Sequence, residues 1–223
     1  MIRDLQYRRH FILSAGILGL AGICAPAAWA QATAPASSAP AILVLGDSLS
    51  AEYGLARGAG WVALLEKRLQ EEKIERRVVN ASVSGETTSG GRSRLIALLA
   101  QHKPAVVVIE LGGNDALRGL PLKNTEENLT AMTDAAQKAG AKVLLVGMQV
   151  PPNYGTDYAN RFAGLFTTVA QAKKVAVVPF FLKGVADGPD PTRLFQADRI
   201  HPRAEAHPQM LANVWPELKK LLR

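Results

Sequence analysis

A hydroxyl is a weak nucleophile until a base takes its proton, and this chain carries both kinds of group in short, glycine-punctuated segments. Ser48 stands in Gly46-Asp47-Ser48-Leu49-Ser50. Near the other end, Asp198-Arg199-Ile200-His201-Pro202 sets an aspartate three residues before a histidine. Histidine titrates near neutrality and suits the role of base. An aspartate can fix its tautomer and stabilise the imidazolium formed during attack. At this spacing Asp198 reaches the ring either directly or through local hydrogen bonds. The other two histidines after residue 30 are His102, read as a surface residue behind a helix, and His207, read as solvent-facing on the last helix. His201 and His207 lack the spacing of a zinc site.

Two further segments offer groups for a developing anion. In Asn80-Ala81-Ser82-Val83-Ser84-Gly85-Glu86-Thr87-Thr88, Gly85 lies just before a helix, where a glycine lets the backbone approach a ligand closely. In Glu110-Leu111-Gly112-Gly113-Asn114-Asp115, two glycines make a tight turn and Asn114 brings an amide donor. Taken singly, each segment is also an ordinary turn or loop composition. A nucleotide-binding loop is disfavoured because no Gly-Lys-Ser/Thr ending follows. The serine does not sit in an α/β-hydrolase elbow, which needs glycine two residues on, where Ser50 stands.

The elements that would position these groups alternate strand and helix. Ala41 to Leu45 is a continuous apolar run, as in a strand buried on both faces. A helix is expected over Trp61–Glu72, where Trp61, Leu64, Leu65 and Leu69 share a face. Strands are expected at Val78-Val79, Ala105–Leu111, Lys142–Met148 and Val175–Val178. Helices are expected over Thr87–Ala100, Thr125–Ala139 with Gly140 as its stop, Tyr158–Lys173 and Arg203–Leu222. This alternation predicts an α/β protein, a three-layer αβα sandwich around a five-stranded parallel sheet of flavodoxin-like order, 2-1-3-4-5. Ligands of such sheets bind beyond the carboxyl ends of the strands. Ser48, Gly85 and Asn114 all follow predicted strands.

The ordered set Gly46-Asp47-Ser48-Leu49-Ser50, Gly85, Gly112-Gly113-Asn114-Asp115 and Asp198-x-x-His201-Pro202 resembles the four blocks of SGNH (GDSL) hydrolases. Within that family it is most similar to the bacterial thioesterase I / lysophospholipase L1 / arylesterase group. Gly60-Trp61 and Asn213-Val214-Trp215-Pro216 add to the likeness, which spans Ile42 to the final helix. The resemblance implies Ser48 as nucleophile, His201 as base and Asp198 as its orienting group. It implies an oxyanion hole from the Ser48 N–H, the Gly85 N–H and the Asn114 side chain. The expected activity is hydrolysis of carboxylic esters and acyl thioesters through a Ser acyl-enzyme, without metal or cofactor. Substrates would be small-molecule esters or thioesters, lysophospholipid among the candidates. A carbohydrate O-deacetylase would use the same site, and a non-catalytic binding protein the same fold. Arg199 stands where the family usually has glycine. The loop after the fourth strand, with Tyr154 and Gly155, is read as a lip over the acyl chain.

Residues 1–30 read as an export signal, with Arg3, Arg8 and Arg9 ahead of an apolar stretch and an Ala28-Trp29-Ala30 cleavage site. The pair Arg8-Arg9 is similar to a twin-arginine signal. Cleavage would deliver a periplasmic or secreted chain. Losing three arginines and one aspartate would take its formal charge from +7 to +5. It would also remove Cys24, the only cysteine, and with it any disulfide or thiolate metal site. Residues 31–40 read as a flexible start to the mature chain and 41–223 as one hydrolase domain. No Lys/Arg run marks a nucleic-acid surface, and the protein is expected to act as a monomer.

Overall fold

The structure is a computed structural model that describes residues 39–223. The expected signal peptide, its cleavage site and residues 31–38 lie outside the described residues. Five strands form one parallel sheet: β1 (Ala41–Gly46), β2 (Arg77–Asn80), β3 (Val106–Glu110), β4 (Lys142–Val146) and β5 (Ala176–Val178), in the order β2-β1-β3-β4-β5. The α/β class and the 2-1-3-4-5 order are as the alternation predicts. Every residue of β1 and β3 is buried. That is why both read as unbroken apolar runs rather than alternating ones.

Two helix layers cover the sheet. Helices α1 (Trp61–Glu71) and α6 (His207–Leu221) pack together on one face. Helices α2 (Thr88–His102), α4 (Leu122–Lys138) and α5 (Thr156–Lys173) pack side by side on the other. Each layer presents an apolar stripe: Trp61, Val62, Leu65 and Leu69 from α1, and Met210, Leu211, Val214 and Leu218 from α6. Burying one such side chain stabilises the fold by about 1.5–3 kcal/mol.

The chain leaves β1 for β2 on one side and reaches β3 on the other. The crevice at that switch, beyond the carboxyl ends of β1 and β3, is where such sheets bind ligands. Ser48 follows β1 and Asn114 follows β3, so the topology alone brings them together.

Three features differ from the sequence reading. Gly113–Leu117 forms a one-turn helix, α3. The last helix begins at His207, not Arg203; Ala204–Ala206 is a 3-10 turn and Pro208 fills the first helical turn of α6, where its missing N–H costs nothing. His207 is buried at 2% exposure, not solvent-facing. Its Nδ1 accepts the Trp61 backbone N–H at 3.0 Å, and the ring also bonds the Pro202 backbone. The donor is one of the orphan N–H groups at the start of α1, which has no side-chain cap. A polar ring at the top of α6 is therefore drawn inward to satisfy it.

Candidate active site

The segment after β1 is pinned on all sides. Asp47 Oδ1 accepts the Leu49 N–H at 3.0 Å, and the Asp47 carbonyl accepts the N–H groups of Ser50 and Ala51 at 3.3 and 2.9 Å. Below it, the Ser50 hydroxyl donates to Glu110 Oε2 at 2.7 Å and accepts from Trp61 Nε1 at 3.1 Å. Ser50 is buried with its hydroxyl fully used, whereas Ser48 is half-exposed. Two serines two residues apart thus have opposite environments, one structural and one open to the crevice.

The histidine arrives on a loop tied back to itself. Phe195 pairs with Pro202 in an antiparallel bridge, the Gln196 N–H donates to the His201 carbonyl at 2.8 Å, and the Arg203 N–H to the Leu194 carbonyl at 2.7 Å. Asp198 Oδ1 accepts the Ile200 and His201 N–H groups, both at 3.0 Å. Its Oδ2 lies 2.7 Å from His201 Nδ1, and His201 Nε2 lies 2.9 Å from Ser48 Oγ. The structure therefore joins Ser48, His201 and Asp198 in one hydrogen-bonded chain, with Asp198 reaching the ring directly. Although desolvation works against it, the hydrogen bonds from the His201 ring and from the two N–H groups win and lower the Asp198 carboxyl to about 2.

Asn114 sits in the first turn of α3 and donates through Nδ2 to Asp47 Oδ2 at 3.0 Å. That bond uses one of its two amide hydrogens and holds the amide beside the Ser48 segment. Gly112, at φ 118, makes the turn into α3; a side chain there would press on Phe166. Gly85 is the third residue of a turn closed by the Glu86 N–H on the Val83 carbonyl at 3.0 Å, and its φ of 78 is the value that position favours glycine for. The Val83 N–H bonds the Gly46 carbonyl at 3.0 Å, which anchors this turn to the end of β1.

Two carboxyl groups lie under the site. Burial raises Asp47 to about 6, against the favourable Leu49 N–H, His201 and Asn114 amide. Burial and the neighbouring Asp47 charge push Glu110 well above the ordinary carboxylate range. Neither was singled out by the sequence reading, and no spacing signal marks them.

A cavity of about 450 Å³ opens beside Ser48 and Asn114. Its walls are mainly apolar: Leu117, Met148, Val150, Pro151, Phe180, Leu182, Phe195 and Ile200. The loop after β4 contributes Gln149, Val150 and Pro151 to this wall. Tyr154 and Gly155 are not among its lining residues; Tyr154 stacks on Tyr158 with ring centroids 6.4 Å apart, and Gly155 is the N-cap of α5. Arg199 lines the cavity and adopts φ 59, a left-handed conformation that glycine occupies without a Cβ penalty. Among the described residues no group of three or more His, Cys, Asp or Glu side chains is arranged to hold a metal ion.

An α/β sheet with a serine, a histidine and an aspartate in hydrogen-bonded sequence at its carboxyl edge has the arrangement of a serine hydrolase. Residues 44–208 match the GDSL-like Lipase/Acylhydrolase family. The chain belongs to that family and is a hydrolase acting on esters. It is 53% identical over 186 residues to Esterase TesA of Pseudomonas aeruginosa, covering 83% of this chain and 91% of that one. It is 41% identical over 173 residues to Thioesterase 1/protease 1/lysophospholipase L1 of Escherichia coli, covering 78% and 80%. The solved structure of the psychrotrophic esterase EstA from Pseudoalteromonas sp., inhibited by monoethylphosphonate, superimposes with a TM-score of 0.76 at 41% identity, covering 82% of this chain and 98% of that one.

Proposed function

We propose that this protein hydrolyses carboxylic esters and acyl thioesters through an acyl-enzyme on Ser48. The observation that carries the reading is the continuous contact from Asp198 through His201 to Ser48, at 2.7 and 2.9 Å. Ser48 Oγ attacks the carbonyl carbon as His201 Nε2 takes its proton. Asp198 holds the other ring nitrogen protonated and stabilises the imidazolium. The carbonyl oxygen becomes an anion facing the Ser48 N–H, the Gly85 N–H and the second amide hydrogen of Asn114, each such donor contributing about 3–4 kcal/mol at best. His201 then gives its proton to the leaving alcohol or thiol, and the acyl group stays on Ser48. Water, deprotonated by the same nitrogen, attacks the acyl carbon, and the acid leaves as His201 returns that proton to Ser48 Oγ.

The apolar cavity supports an acyl or aryl group as the part of the substrate that is buried. Each added methylene contributes up to about 0.8 kcal/mol until the cavity is full. The names borne by the relatives, esterase and thioesterase, support both leaving-group classes, and lysophospholipid hydrolysis is consistent with the second relative's name. Tyr154, whose N–H donates to the Pro151 carbonyl at 3.1 Å, and Gly155 enter this reading only as the continuation of the loop that supplies Val150 and Pro151. A panel of p-nitrophenyl esters and acyl-CoA thioesters of increasing chain length tests it. Turnover should rise with chain length and then level off. Hydrolysis of esters but not thioesters would remove the thioesterase half.

The sequence of charged, apolar and small residues before Gln31 supports export with cleavage after Ala30. Mass spectrometry of the protein recovered from the periplasm or medium should find Gln31 first; an intact Met1 there would refute it.

A further inference from the structure

Tyr53 is half-exposed, at 50%, yet its ring meets the most important base of the molecule. Its centroid lies 4.3 Å from that of His201, with the planes tilted by 37°. The backbone around it is unusual. Glu52 and Gly54, on either side, both have left-handed φ values, 59 and 72. For Glu52, which has a Cβ, that conformation is strained. Its carboxylate compensates by accepting the N–H groups of Gly58 and Gly60 at 2.8–3.1 Å. A Cβ on Gly54 would run into the Gln196 side chain.

Two bridges then tie this bend to the histidine loop. The Tyr53 N–H donates to the Ser48 carbonyl at 3.2 Å. Gln196 Nε2 donates to the Tyr53 carbonyl at 3.0 Å and to the Pro202 carbonyl at 3.1 Å. The bend is thus fixed to the residue on one end of the proton path and to the neighbour of the residue on the other. The arrangement lays an aromatic face against His201.

We propose that Tyr53 is a positioning residue for the hydrolytic reaction, holding the His201 ring in line with Ser48 and stabilising it as an imidazolium through its aromatic face. The inference rests on the Ser48–His201 reading above. A ring quadrupole attracts a cation far more than a neutral imidazole. The contact therefore strengthens when His201 takes the proton, and relaxes when the proton passes to the leaving group. An interaction stronger in the transition state than in the ground state appears in kcat and not in KM. Both acylation and deacylation pass through the imidazolium, so the effect holds whichever step limits.

The test compares wild type with Tyr53→Phe, Tyr53→Leu and Tyr53→Ala on p-nitrophenyl butyrate, with kcat normalised to active sites titrated by a fluorophosphonate so that any unfolded fraction drops out. Tyr53→Phe, which keeps the face and loses the hydroxyl, should retain most of kcat. Tyr53→Leu, which keeps apolar bulk without the face, should lose kcat by about two- to fivefold, the scale of an exposed cation–π contact. Tyr53→Ala should lose at least as much, and KM should change little in all three. If Tyr53→Leu matches Tyr53→Phe, or the loss falls on KM, the proposal is overturned while ester hydrolysis stands. If wild type itself hydrolyses no ester, the proposed function fails and this inference with it.

Discussion

The hydroxyl of Ser50 lies 2.7 Å from Glu110 Oε2, sixty residues away in the chain and beneath the Ser48 segment. That contact locks the end of β1 to the end of β3, and burial raises the Glu110 carboxyl well above its ordinary range.

A pH dependence of stability follows from this pair. With a raised value in the fold, the folded chain binds the Glu110 proton more tightly than the unfolded chain does. Stability from this group is therefore full below the ordinary carboxylate range and falls as pH rises through the raised value. Asp47, at about 6, adds a change of the same sign. Glu110→Gln keeps an oxygen for Ser50, abolishes this titration and relieves Asp47. Urea unfolding should show wild type losing stability relative to Glu110→Gln as pH rises above the ordinary carboxylate range. Parallel behaviour of the two proteins would refute the assignment.

His207 carries a second stability prediction. Truncating it to alanine orphans the buried Trp61 N–H, which should cost about 1–3 kcal/mol. Burial lowers the His207 value, so in wild type protonation opposes the fold as pH drops below the ordinary histidine range, and His207→Ala should lack that component. Denaturant melts at neutral and mildly acid pH measure both. A change of less than about 0.5 kcal/mol would mean that the N–H finds another partner.

The acid and base partners of Ser48 should separate in mutants. His201→Ala removes the proposed base and should lower kcat by about 10⁴ or more, close to the loss in Ser48→Ala. Asp198→Ala removes the proposed orienting group and should retain more activity. Because Asp198 titrates at about 2, it stays ionised throughout the working range. Steady-state rates of the two variants on one ester decide it; equal losses would make Asp198 as essential as the base.

Much of this was legible in the sequence. The unbroken apolar runs at β1 and β3 disclose a doubly covered parallel sheet, and the residues just after them hold Ser48 and Asn114. The histidine loop is readable because Asp198 and His201 stand three residues apart. What was not legible depends on contacts between distant segments. Tyr53 reaches His201, and Trp61 reaches His207, only after folding, so their types carry no local signal. Helix α3 is too short to show a period. Part of the cavity wall, including Phe180 and Leu182, comes from the irregular stretch between β5 and the histidine loop, where neither strand nor helix spacing applies. Pro151, not Tyr154, ends the wall from the loop after β4, because Pro152–Tyr154 turns into a 3-10 segment that leads to α5.

The central claim is that Ser48, not its buried neighbour Ser50, forms the covalent intermediate. Labelling with a fluorophosphonate, followed by peptide mass spectrometry, tests it directly. Wild type should carry one adduct on Ser48, and Ser48→Ala should carry none while unfolding in denaturant like wild type. Label on any other residue, or undiminished labelling and turnover in Ser48→Ala, would contradict the account.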